Sequence, residues 1–346
     1  MIDSVILLFL IQDGLINGAI YALLGIALVL VFAVTRVIFI PQGEFVAYGG
    51  LTFALLSTGK APATAWLLVV FGAAAFVAEL WRSRHVLVGR KVAREFVGMV
   101  AAPVAVLWLT RLLAHPGQSV WVNLALTLAI VAPMGPYVYR IAFQPLADAS
   151  VLTLFIAAVG VHLSMVGLGL AFFGAEGLRA SALTSASFAL GPLPITGQTI
   201  AVFAVTLILI AALYLFFDRA LYGKALRATA INRLGARLVG IPTTTAGQVA
   251  FALSSALGTM SGVLIAPATT IYYDTGFLIG LKGFVAAIVG ALASYPVTAL
   301  AALGVGLVES FASFYASNFK EVIVFLLIVP VLMWRSLQTV HVEEDE

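Results

Sequence analysis

Long apolar runs follow one another along almost the whole chain, each closed by a proline, a glycine cluster or a group of charges. They lie near 7–34, 45–58, 63–81, 96–114, 119–138, 150–173, 198–217, 246–268, 281–294, 297–316 and 320–334. Most approach the roughly 20 residues that cross a bilayer as helix. The runs at 45–58 and 281–294 are short, the length of half-helices or re-entrant segments. Interrupted helices at membrane depth are tolerated only where protein or a water-filled path receives the freed backbone groups. The pattern therefore predicts an all-α polytopic transmembrane helical bundle of eight to eleven spans. Residues 1–346 read as one integral-membrane domain, with no internal repeat and no soluble module between the runs.

Composition agrees and narrows the class. Of 346 residues, 62% are hydrophobic and only 10% charged, with a mean hydropathy of +1.12. Soluble domains carry about 25% charged residues, so a soluble enzyme, a nucleic-acid binder and a secreted module are excluded as the main reading. The roughly 215 apolar residues suffice for about eleven spans at ~20 each. There is no cysteine, hence neither a disulfide nor a thiolate metal site. No positive region precedes the first apolar run, so a cleaved signal peptide is not expected and that run should stay as a span.

The scarce charge is placed unevenly. Arg82, Arg84, Arg90, Lys91 and Arg94 form one cluster with no acid between Glu79 and Glu95. Arg219, Lys224, Arg227, Arg233 and Arg237 form a second, with no acid between Asp218 and Asp274. Cationic loops stay in the cytoplasm, and the four spans between the clusters put both on one side, with Arg140 in the short loop 139–149. Loops 174–197 and 269–280 then fall outside, the N-terminus outside and the C-terminus inside, where the acidic tail Glu343-Glu344-Asp345-Glu346 follows the last span. Within the second cluster, 222–241 carries Leu226, Ala230, Leu234, Leu238 and Ile241 at helical spacing, flanked by cations. It is too polar to span, Pro242 stops it, and Gly235 permits a bend or a break. By pattern alone it is an amphipathic helix on the anionic inner leaflet.

Arg227-Ala228-Thr229-Ala230, then Asn232, then Ala236-Arg237-Leu238-Val239-Gly240-Ile241 resemble the cytoplasmic coupling segment of the branched-chain amino acid ABC-transporter permeases, the LivH type. Gly14-Leu15-Ile16-Asn17-Gly18-Ala19-Ile20-Tyr21-Ala22-Leu23 resembles that family's first helix. Gln42-Gly43-Glu44 is similar to the end of its Asn-Phe-Ala-(His/Gln)-Gly-Glu motif, and Tyr139-Arg140-Ile141-Ala142-Phe143-Gln144-Pro145-Leu146 to its Arg-Pro-Leu loop. Gly280-Leu281-Lys282-Gly283-Phe284, Ala286-Ala287-Ile288-Val289-Gly290 and Gly306-Leu307-Val308-Glu309 resemble its C-terminal signature. The matches are collinear and leave out only about 60–135. The chain departs from the pattern at Phe39-Ile40-Pro41, in place of Asn-Phe-Ala, and at Arg233-Leu234-Gly235. It is also longer over 82–138, room for an additional pair of spans.

The resemblance implies a bacterial inner-membrane permease subunit of an ATP-binding-cassette importer, not an enzyme and without a cofactor. Branched-chain or other hydrophobic amino acids are the implied substrates; urea, short amides or small carboxylates, carried by sister permeases, are the alternative. A secondary transporter driven by an ion gradient is the rival from another class. The implied partners are ABC ATPase subunits inside, a second permease as hetero- or homodimer, and an extracytoplasmic substrate-binding protein. No Gly-x-x-x-x-Gly-Lys-Ser/Thr loop occurs, so ATP hydrolysis belongs to another polypeptide. Segment 219–241 is then the coupling element, with Arg227, Ala228, Asn232, Leu234, Arg237, Leu238, Gly240 and Ile241 at the ATPase.

Polar groups in the apolar runs are the candidates for a substrate path, since they are costly elsewhere in lipid. Asp13, Asn17 and Tyr21 share one helix face, beside a small-xxx-small pair, Gly14 and Gly18; helix packing and path lining both account for them. Gln42, Gly43 and Glu44 open a short span after Pro41, where free N–H groups favour a carboxylate and Glu44 would need a partner. Lys282 and Glu309 suit either a structural ion pair or a gate. His162, mid-span among Gly160, Ser164 and Gly167, suits a hydrogen-bonded core position or a functional one, and nothing stands at metal-ligand spacing from it.

Overall fold

The computed structural model describes residues 4–84, 89–184, 186–190 and 193–338. Residues 85–88 of the first basic cluster and the acidic tail 343–346 lie outside these. Helix dominates because apolar segments in lipid must satisfy every backbone N–H and C=O internally. Nine helices among the described residues are long and apolar enough to span a membrane, within the predicted range.

The chain begins with α1 (Ser4–Thr35), α2 (Gln42–Ser57) and α3 (Thr64–Ser83). Two interrupted helices follow. In one, α4 (Gly89–Phe96) and α5 (Ala102–Leu113) join through a π-helical turn at Val97–Ala101. In the other, α6 (Val120–Val131) and α7 (Met134–Val138) continue into a second π-helical turn, Tyr139–Phe143. Next come α8 (Val151–Phe173), α9 (Gly197–Arg219), α10 (Leu221–Ile231), α11 (Arg233–Leu238) and α12 (Thr243–Ile265). The chain ends with α13 (Thr275–Val289), α14 (Tyr295–Tyr315), α15 (Lys320–Leu326) and α16 (Ile328–Gln338). Hydroxyls start several of them: Ser150 accepts from Thr153 N, Thr196 from Thr199 N and Ser294 from Val297 N. A two-stranded hairpin, β1 (Ser187–Leu190) with β2 (Leu193–Thr196), interrupts the loop before α9.

Burial separates centre from rim. The apolar stretch of α1 is 89% buried and that of α12 67%, against 17% for α8 and α9. Around α1 and α12 the short helices α2 and α13 complete the centre. α14 lies antiparallel on α1, and the predicted small-residue pair explains how closely: a Cβ on Gly14 or Gly18 would stand 2.7 Å from the Cα of Leu307 or Leu303.

The two basic clusters meet at one end of the bundle. Arg82 donates to the carbonyl of Arg140, Arg140 to Glu95 at 2.8 Å, Arg233 to the carbonyl of Ala147 at 2.7 Å, and Arg237 to Asp148 at 3.0 Å. The parity expected from the cations holds in these contacts. At the opposite end Leu178 pairs with Ile271 and Arg179 donates to the carbonyl of Pro267, joining loops 174–197 and 269–280.

Three local expectations are corrected. α13 begins at Thr275 rather than 281, and 291–292 is a left-handed turn instead of helix. Much of basic segment 82–94 is helical, with Arg82 and Lys91 beside Glu79 and Arg94 beside Glu95. The coupling segment breaks at Asn232, not Gly235: Asn232 Oδ1 accepts from Gly235 N at 2.8 Å and starts α11 as its cap.

Candidate functional site

The two short helices begin against each other. A Cβ on Gly43 would lie 2.0 Å from the carbonyl oxygen of Gly276, and one on Gly276 would lie 2.2 Å from that of Gly43. Only glycine permits this backbone approach. Gln42 and Glu44 flank the contact and are both fully buried. Gln42 is tied to α12, donating to the Ser254 carbonyl at 2.9 Å while its own oxygen accepts from the Ser254 hydroxyl. Glu44 faces α8 instead.

His162 meets Glu44 there. Its Nδ1 lies 3.0 Å from Glu44 Oε1, and its ring stacks on Phe277 with centroids 4.7 Å apart. The contact is short but does not form a regular hydrogen bond, and neither Glu44 oxygen has a hydrogen-bond partner among the described residues. A fully buried carboxylate so weakly satisfied is costly in the bundle interior. His162 is the twelfth residue of the 23-residue α8, which sets the pair about halfway through the bundle. The sequence marks both residues; the fold brings them together from 118 positions apart.

A second buried cluster lies between α1, α13 and α14. Lys282 pairs with Glu309, and Glu321 approaches Lys282 at 3.3 Å. The Tyr21 hydroxyl donates to the other Glu309 oxygen at 2.6 Å, and the Lys282 ammonium stands 5.8 Å from the Tyr21 ring centre. The pairing of Lys282 with Glu309 is the one considered from sequence; Tyr21 and Glu321 join it only in three dimensions. Asn17, one turn before Tyr21, is half-buried and Asp13 exposed.

The coupling segment splits its apolar stripe. Leu226 is 1% exposed and packs into the bundle, whereas Leu234 and Leu238 are 68% and 81% exposed. Ala228 and Ile241 are half-buried, and Asn232, Arg227 and Arg237 are exposed. Arg237 is nonetheless fixed, donating to Thr243 at 3.1 Å as well as to Asp148. Gly240 (φ 84°) turns the chain into α12 with backbone that other residues rarely adopt. In the sequence Glu95 stands only as the end of the first basic cluster and Asp148 carries no mark, because each sits singly at the boundary of an apolar run.

Residues 93–332 match the family described as branched-chain amino acid transport system / permease component. The chain belongs to that family. Among curated proteins, the permease is similar to the high-affinity branched-chain amino acid transport system permease protein BraD of Pseudomonas aeruginosa, 28% identical over 218 residues, 61% of this chain and 71% of BraD. The corresponding LivH protein of Escherichia coli K12 is 26% identical over 217 residues, 60% of this chain and 69% of LivH. The matched region of the family holds the coupling segment, His162 and the Lys282–Glu309 pair; Gly14–Leu23 and Gln42–Glu44 precede it.

Proposed function

We propose that this permease is the membrane subunit of an ATP-binding-cassette importer for branched-chain or other hydrophobic amino acids, in a bacterial inner membrane with its N-terminus outside. The observation that carries the reading is the divided coupling segment. Leu234, Leu238 and neighbouring Val239 (77% exposed) stand free at the basic end of the bundle, while Arg233 and Arg237 bolt the same short helix to the 147–148 turn. Apolar side chains held in place but uncovered suit the groove of an ATPase subunit, and a rigid link to the helices transmits its closure. A second permease and an extracytoplasmic substrate-binding protein complete the assembly.

For the path we propose the crossing of α2 and α13. The first turns of both helices carry positive partial charge, and Glu44 beside them is negative. A zwitterionic amino acid has the matching pair of charges. In this conformation the crossing is closed, so passage requires α2 and α13 to part, with Asn17, Tyr21, Gln42, Gly43, His162, Lys282 and Glu309 flanking the opening.

The test is uptake into proteoliposomes holding the permease with its co-purifying ATPase and binding protein. ATP-dependent accumulation of labelled leucine is expected, and Leu238→Asp should abolish it while the variant keeps wild-type thermal stability. Uptake that persists without the ATPase and collapses with an uncoupler would show a gradient-driven transporter instead.

A further inference from the structure

Among the described residues, three other than glycine hold left-handed backbone: Arg36 (φ 63°), Ala291 (φ 58°) and Leu292 (φ 55°). Such backbone is disfavoured for side chains and persists where the surroundings demand it, often at ligand clamps. These residues come from two turns distant in sequence, yet all three line one cavity of about 730 Å³. That volume is within the ~300–1,000 Å³ of ligand pockets.

The cavity has a charged mouth and an apolar wall. Arg36, just past the end of α1, and Arg227, on α10, are both exposed and both line it. Neither makes an ion pair among the described residues. The wall is formed by Ile26 on α1, Leu213 and Phe217 on α9, and Ala299 on α14. From Arg36 back to Ile26 is ten residues of chain, ~15 Å as helix, about half the ~30 Å hydrocarbon core. The groove therefore reaches from the basic end of the bundle to the depth of one leaflet. Tyr214 and Ile231 at its rim are 69% and 79% exposed, so it opens sideways onto apolar surface. Tyr295 stacks on Phe217 at 5.6 Å near the mouth, an aromatic at the level where headgroups begin.

We infer that this groove binds an anionic phospholipid, one acyl chain along the Ile26–Phe217 wall and the phosphate between Arg36 and Arg227. Two cations without an ion pair among the described residues, above an apolar slot, match a headgroup of net negative charge. A zwitterionic headgroup would bring its own ammonium to the same mouth. An ATPase subunit outside the bilayer does not reach the wall at the depth of Ile26. Arg227 also belongs to the coupling segment, so Arg36, which does not, carries the test.

The full-length permease, purified in mild detergent, is titrated with phosphatidylglycerol and with phosphatidylcholine of the same chain length, and retained lipid is read by native mass spectrometry. Phosphatidylglycerol should be retained preferentially, and Arg36→Gln should weaken its binding about fivefold, with Arg36→Lys restoring most of it. Ala299→Trp, which fills the wall, should reduce retention of both lipids. Equal retention of the two lipids, or no effect of Arg36→Gln, overturns the inference. So does displacement by inorganic phosphate, which would mark a simple anion site. A photo-crosslinker at Tyr214 should capture lipid; capture of a second permease chain there would assign the groove to a subunit interface and overturn the inference as well.

Discussion

At the scale of single residues, burial of charge separates two kinds of polar cluster. Lys282, Glu309 and Tyr21 satisfy one another at short range. Removing one member leaves an uncompensated charge among helices, so Lys282→Met should destabilise the permease by about 3–5 kcal/mol. Lys282→Met with Glu309→Gln should recover most of that loss, as thermal unfolding in detergent will show. Glu44 differs: its contact with His162 is short but poorly formed. Relieving it should cost little stability and change transport, so Glu44→Gln is expected to keep or raise the melting temperature while abolishing amino-acid uptake. A fall in both would make Glu44 a packing residue. The sequence marks each of these side chains as an ionisable group in an apolar run. It does not pair Glu44 with His162 or add Glu321 to Lys282, because those pairings depend on which helices become neighbours.

At the scale of elements, the coupling segment shows how a stripe read as one face becomes two. Periodicity aligns Leu226, Leu234 and Leu238, but the Asn232 cap ends α10 and redirects α11. The first leucine then seals the bundle and the other two stand outside it. Leu226→Asp should therefore fail to fold or accumulate, in contrast to the folded but uncoupled Leu238→Asp. Asn232→Ala should cost about 1 kcal/mol through the lost cap and loosen the coupling angle, read as ATPase activity no longer stimulated by substrate. The crossing of α2 and α13 is stricter. Gly43→Ala places a methyl group inside the van der Waals radius of the Gly276 carbonyl. Separating the helices should cost about 1–3 kcal/mol or more, seen as a lowered melting temperature.

At the scale of the whole molecule, charge and burial divide the labour. A centre of α1, α2, α12 and α13 is shielded by rim helices such as α8 and α9 whose outer faces remain apolar and uncovered. Both basic clusters gather at one end through Arg140, Asp148 and Glu95. The cations predict that this end is cytoplasmic. Cysteine labelling of the cysteine-free chain should find a residue introduced at 221–239 accessible only from inside, and one at 176–182 only from outside.

Solvent, helix content and the grouping of charge follow from the sequence alone, because a run of about 20 apolar residues has few alternatives in a bilayer. Family membership is equally legible, in motifs a few residues long. Which buried groups meet is decided only by the tertiary structure. Gly43 against Gly276, Glu44 beside His162, and Arg36 with Arg227 at one mouth each join residues more than 100 positions apart. Periodicity specifies the face a residue occupies on its own helix, but in a bundle the identity of the facing helix depends on the packing of all the others.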